Sequence, residues 1–242
     1  MSQNAAVQFD RGSPIIAIID ESKDLDPERL AHAVKALQKQ IDDDFFPLWG
    51  WRATLSFGEP LPANAMQVRI LAINPDHDDA AGYHFSELGL PRSEVYTRDN
   101  DEKFVGEQEV FATLSHELLE MIADPGINLY ALGYYIAGDR HMKAFIGYEV
   151  CDPVQDKTYV IDGVQVSDFV VPEWFEENRK PGSMKFSFLG SVAEPFAITS
   201  GGYVDGVRDG NFFSREGEAA KRRRKHRMDA RQGRVDASEE RV

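Results

Sequence analysis

The chain has 242 residues, 42% of them hydrophobic and 28% charged, a balance that excludes collagen-like and wholly disordered proteins. Its 41 acidic side chains outnumber 27 basic ones, and the net charge of −14 is unevenly placed. Residues 215–242 hold 10 basic and 6 acidic side chains, so residues 1–214 keep 17 basic and 35 acidic, an acidic body that repels nucleic acid and anionic membranes.

In chain order, residues 1–13 read as a flexible N-terminus. Residues 14–19 (PIIAII) are a continuous β-branched run, as in a central strand covered on both faces. Asp26-Pro27-Glu28 starts a helix, with Asp26 as N-cap and Pro27 in the first turn. Leu30, Val34, Leu37, Ile41 and Phe45 then recur at helical spacing and predict one helix with a buried stripe. Strands are expected at 51–57 and 66–73, and 74–81 (NPDHDDAA) reads as a loop. Within it Asp76-His77-Asp78-Asp79, like Asp42-Asp43-Asp44, reads as a solvated acidic stretch, because it lacks the spacing of an EF-hand calcium loop. Residues 82–85 suit a short edge strand and 90–96 another extended piece. A long helix is predicted over 105–123, stopped at Asp124-Pro125 because the residue before proline is pushed out of the helical region. Residues 158–170 predict a hairpin turning at Asp162-Gly163. Residues 171–214 read as irregular but folded, since Trp174, Phe175, Phe186, Phe188, Phe196 and Phe212 need burial. A basic tail is expected from Arg215.

The long helix contains Ser115-His116-Glu117-Leu118-Leu119-Glu120. With His116 at 0° and about 100° per residue, Glu120 falls near 40° and Glu117 near 100°. Val110, Phe111, Leu114, Leu118, Met121 and Ile122 lie between about 120° and 240°. His116 and Glu120, one turn apart, can close on one cation, and Glu117 stands beside it, able to take a proton from water on the metal. The plainer alternative is an amphipathic surface helix whose polar face contains these three residues.

The segments SHELLEMIADP (115–125), YEVCDPV (148–154) and SDFVVPEWF (167–175), with DFFPLWG (44–50) and Gly82-Tyr83-His84, resemble the zincin-like metallopeptidase superfamily in a variant with HExxE in place of HExxH. They more closely resemble bacterial and phage-borne proteins that share the SHExxEMxxDP and EVCDPV patterns. The resemblance implies an α/β (α+β) zincin-like fold over residues 14–214, a twisted mixed sheet whose edge strand lies over the metal-bearing helix. It also implies Zn²⁺, or another divalent ion, held by His116, Glu120 and a third carboxylate. Glu149 is preferred for that place because a downstream glutamate completes the site in several zincins; Asp152, Asp124 and His84 stay open. Glu117 is then the catalytic base, Asp124 a residue supporting His116, and Tyr83, His84 and Tyr148 are candidate oxyanion or substrate contacts. The expected reaction is hydrolysis of a peptide or protein substrate through metal-activated water. The alternative is a catalytically weak zincin-fold protein with a structural role, in a phage-associated particle.

Cys151 is the sole cysteine, so no internal disulfide is expected, a reducing cytoplasm is the natural compartment, and a small buried hydrophobe is its expected role. No run approaches the roughly 20 apolar residues of a membrane helix, and the opening residues lack a secretory pattern, so no membrane partner is expected. The cluster Lys221–Arg227 could attract nucleic acid or an acidic partner by charge alone.

Overall fold

The computed structural model describes residues 13–58, 60, 65–75, 80–87, 89–137 and 140–220. The expected N-terminal segment up to residue 12, the Asp76–Asp79 stretch and the basic cluster lie outside the described residues.

The chain is a mixed α/β fold. A five-stranded mixed sheet is formed by β1 (Ile15–Asp20), β2 (Thr54–Phe57), β3 (Met66–Leu71), β4 (Gly82–Glu87) and β5 (Leu90–Tyr96), in the order β2-β1-β3-β5-β4. β1 pairs in parallel with β2 and β3, β3 pairs in parallel with β5, and β4 runs antiparallel along the edge. In β3 the residues Met66, Val68 and Ile70 are buried while Gln67, Arg69 and Leu71 are half-buried. This alternation gives β3 one well-covered face, whereas in β1 the consecutive residues Ile16, Ala17 and Ile18 are all buried, so its centre is covered on both faces as expected.

Helix α1 (Pro27–Lys39) begins as its sequence dictates, with the Asp26 carboxylate accepting hydrogen bonds from the backbone N–H groups of Glu28 and Arg29. The buried stripe runs on through Ile41 and Phe45, but residues Gln40–Phe45 widen into a π-helical turn before α2 (Phe46–Trp49). Pro47 has no N–H to offer the preceding turn, and the wider turn accommodates it where a regular helix would break.

Helix α3 (Glu107–Ala123) carries Glu107 and Glu109 in its first turn, favourable against the helix dipole, and stops at Asp124, which is non-helical before Pro125. Phe111, Leu114, Leu118 and Met121 join Ile16, Ile18, Val68, Ile70 and Val95 of the sheet and Leu30 and Leu37 of α1 in one apolar cluster. Each of the larger aliphatic side chains buried there contributes about 1.5–3 kcal/mol. Every residue from Leu114 to Ala123 is buried, so α3 has no solvent face over that length. The amphipathic surface helix is thereby ruled out.

A second, fully antiparallel sheet was not expected from the sequence. β6 (Tyr130–Ala137), β7 (Arg140–Gly147), β10 (Tyr203–Arg208) and β11 (Asn211–Glu216) form it in the order β11-β10-β7-β6. Residues 171–214 therefore include regular strands, and the tail boundary at Arg215 falls inside β11. The hydrogen bonds from Gly217 to Gly202 and from Ala219 to Ser200 carry the folded chain further. The predicted hairpin is β8 (Thr158–Ile161) and β9 (Val164–Ser167), with positive φ at both Asp162 (50°) and Gly163 (83°), as a type I′ turn requires. No helix among the described residues is long and apolar enough to cross a membrane.

The loop after β1 is tied to the end of β5 by Asp24, whose carboxylate accepts from the Arg98 guanidinium at 2.6 and 2.9 Å and from Thr97 Oγ1 at 2.6 Å. The hydrogen bonds from Arg98 hold the Asp24 carboxyl below its usual range, despite partial desolvation. A depressed folded pKa stabilises above the unfolded value of about 4 and loses that contribution as pH falls through the folded value. Urea melts of wild type and Asp24→Asn should accordingly differ most near neutrality and converge as pH falls below about 4.

Candidate metal centre

Three parts of the chain meet at the polar front of α3. The helix supplies His116, Glu117 and Glu120; edge strand β4 supplies His84; and the segment after β7 supplies Glu149 and Asp152. All six are buried. The close approach of β4 depends on Gly82, where a Cβ would stand 2.9 Å from the Glu94 carbonyl oxygen and Thr113 Cγ2 and 3.1 Å from Glu117 Cγ. Gly82→Ala should push β4 off α3 and cost about 1–3 kcal/mol in a denaturant melt. An unchanged midpoint would show that the strand sits there for other reasons.

The segment around Asp152 is fastened from both sides. Val170 N–H bonds the Val150 carbonyl at 2.7 Å, and Glu120 Oε1 accepts from the backbone N–H groups of Cys151 and Asp152, each at 3.2 Å. His116 Nε2 consequently lies 3.2 Å from Glu120 Oε1 and 3.2 Å from Asp152 Oδ1. Neither oxygen is aligned to form a hydrogen bond with that nitrogen, which is fully buried. The ring nitrogen thus aims between two carboxylates. Neighbouring ligands of an ion with bonds of about 2.1 Å stand about 3.0 Å apart in an octahedron and about 3.4 Å apart in a tetrahedron. The separations of Glu120 and Asp152 from His116 fall within that interval, and the ligand atoms of His116, Glu120 and Cys151 all lie within 4.8 Å of one another, so this side of the cluster could hold a divalent cation.

Burial opposes the imidazolium form of His116, but Glu120, Asp152 and Glu117 outweigh it and raise its pKa well above the usual value. A dication is the alternative source of positive charge at the same place.

His84 occupies the other side of the cluster. Its Nδ1 is 3.6 Å from Glu117 Oε2 and 3.7 Å from Glu120 Oε2, and its Nε2 is 3.7 Å from Glu149 Oε2. The structure therefore sets Asp152 beside His116 and Glu149 beside His84. Glu117 is 1% exposed, and its Oε2 has no hydrogen-bond partner.

Other candidates from the sequence stand elsewhere. Tyr83 alternates with His84 along β4 and lies across from Glu94, whose carboxylate accepts from its hydroxyl at 3.3 Å, on the opposite face of the sheet. Tyr148 stacks on Phe175 at 4.1 Å between ring centres, and burial raises its phenol pKa. Asp124 uses its two oxygens to accept from the backbone N–H groups of Asn128 and Leu129, closing the turn after α3. Cys151 is fully buried in the apolar core, with its sulfur near His116 and Glu120. Burial first and Glu120 second raise its pKa and keep it a thiol.

A supporting network was missed by sequence reasoning. Ser115 Oγ donates to Gln40 Oε1 at 2.7 Å and accepts from Ser167 N–H at 2.9 Å, while Gln40 Nε2 donates to the Ser167 carbonyl at 2.9 Å. These bonds lock α3 to the π-helical turn and to β9, one residue before His116. The available signal was polarity out of place, with Gln40 between Leu37 and Ile41 of the buried stripe. No protein-family model, curated protein or solved structure matches the chain.

Proposed function

We propose that this protein is a divalent-metal, most naturally zinc-dependent, hydrolase of peptide bonds with a zincin-like arrangement. The observation that carries the reading is the buried His116 Nε2, aimed between Glu120 and Asp152 with neither aligned to bond it. Further support comes from edge strand β4 over α3, the placement the HExxE resemblance implies.

His116 Nε2, Glu120 and Asp152 Oδ1 would hold the ion, with Asp152 in the place for which Glu149 was preferred. When bound, such an ion acts as a Lewis acid toward a carbonyl oxygen and lowers the pKa of its water. Glu117 Oε2 is the proton acceptor, and it returns the proton to the leaving amine. The backbone N–H groups of Cys151 and Asp152 hold Glu120 in place, and the Ser115–Gln40–Ser167 network fixes the rotation of α3. A buried carboxylate oxygen that forms no hydrogen bond among the described residues, as Glu117 Oε2 does beside His84, favours chemistry at Glu117.

The test is cleavage of a charge-sorted peptide library by the full chain loaded with one equivalent of zinc. Cleavage that chelation stops, faster for basic peptides than for acidic ones, is expected from the acidic body. Bound zinc with no peptide cut would instead leave a metal-stabilised structural protein.

A further inference from the structure

Glu120 is shared by two groups of ligand atoms. Its Oε1 faces His116 Nε2, and its Oε2 faces His84 Nδ1 together with Glu117 Oε2. The ligand atoms of His84, Glu117 and Glu120 all lie within 4.8 Å of one another. Glu117 Oε2, buried and without a hydrogen-bond partner, is aimed into this second group.

We propose that the cluster takes two divalent cations bridged by Glu120, the second held by His84 Nδ1, Glu117 Oε2 and Glu120 Oε2. The proposal rests on the metal-binding part of the reading above and extends it.

Charge is one argument. Glu117, Glu120, Glu149 and Asp152 are four buried carboxylates, and neutral imidazole ligands add no charge. One dication cancels half of their charge, whereas two cancel all of it. Burying uncompensated charge is costly, so the pocket favours the doubly occupied state. Geometry is the other. The two oxygens of one carboxylate address imidazoles on different elements, α3 and β4, and a shared carboxylate suits metals about 3.5–4 Å apart. With an ion on Nδ1 the ring proton of His84 would sit on Nε2, where it would face Glu149 Oε2, 3.7 Å away. The donors are nitrogen and oxygen, a set suited to Zn²⁺ or Mn²⁺.

Glu117 then has two roles. Filling the second pocket engages the proton acceptor, so the second ion acts as a brake on hydrolysis.

The experiment uses the full chain, stripped with chelator and titrated with Zn²⁺ by calorimetry, with metal analysis after desalting. Two equivalents are expected for wild type and one for His84→Ala. One equivalent in wild type, or two retained in His84→Ala, overturns the proposal. Should His84→Ala fail to fold, zinc-edge X-ray absorption of wild type loaded with two equivalents decides. A zinc–zinc distance of about 3.5–4 Å supports the bridge, and its absence refutes it. Two bound ions with no peptide cleaved even at one equivalent of zinc would keep this inference and remove the hydrolase reading; one ion with cleavage would do the reverse.

Discussion

Replacing Glu117 with glutamine is expected to lower peptide hydrolysis by about 10²–10⁴-fold, the range that a positioned general acid–base contributes. Glutamine has nearly the shape of glutamate but cannot take a proton at Oε2, so the loss should fall on kcat and leave KM nearly unchanged. Stability gives an independent readout. Glutamine nearly conserves the volume of this buried side chain, so the metal-free variant should keep the fold and a cooperative melt. A variant within a few-fold of wild-type activity would remove Glu117 from the chemistry.

Metal removal should have the largest effect on stability. An ion that binds only the folded chain stabilises it by about 2.7 kcal/mol at 100 times its dissociation constant and about 4.1 kcal/mol at 1,000 times. For a chain of this size each kcal/mol moves Tm by about 2–4 °C, so chelation should lower Tm by roughly 5–16 °C. Readdition of zinc should restore it. The physical source is the set of four carboxylates buried around two imidazoles, a density of negative charge that a cation compensates. Identical melting curves with and without chelator would mean that the cluster is neutralised by protons alone.

Local patterns in the sequence carried much of the fold. The Asp26-Pro27 start of α1, the Asp124-Pro125 stop of α3 and the Asp162-Gly163 turn each rest on backbone restrictions acting within a few residues, and each appears in the structure. Edge strand β4 was legible too. The second sheet was not, because its pairings join distant segments. Gly206 of β10 lies opposite Ile146 of β7, and that contact has no trace in either local pattern.

The site divides in the same way. His116, Glu117 and Glu120 follow from the spacing of one helix, where i and i+4 share a face whatever the surroundings. The third carboxylate could not be read so directly. Glu149 and Asp152 are three residues apart, and Asp152 opens a single 3₁₀ turn, so their directions depend on how that turn is fastened. The bonds from Cys151 and Asp152 N–H to Glu120, and from Val170 N–H to Val150, bring Asp152 to His116. His84 depends on tertiary structure as well, since its approach requires the β4–β5 register and a glycine at position 82.

The most direct measurement is anomalous scattering at the zinc edge from crystals of the full chain grown with zinc. The account predicts a peak about 2.0–2.2 Å from His116 Nε2, a Glu120 oxygen and Asp152 Oδ1. Well-ordered density for these three side chains with no anomalous peak between them would contradict it.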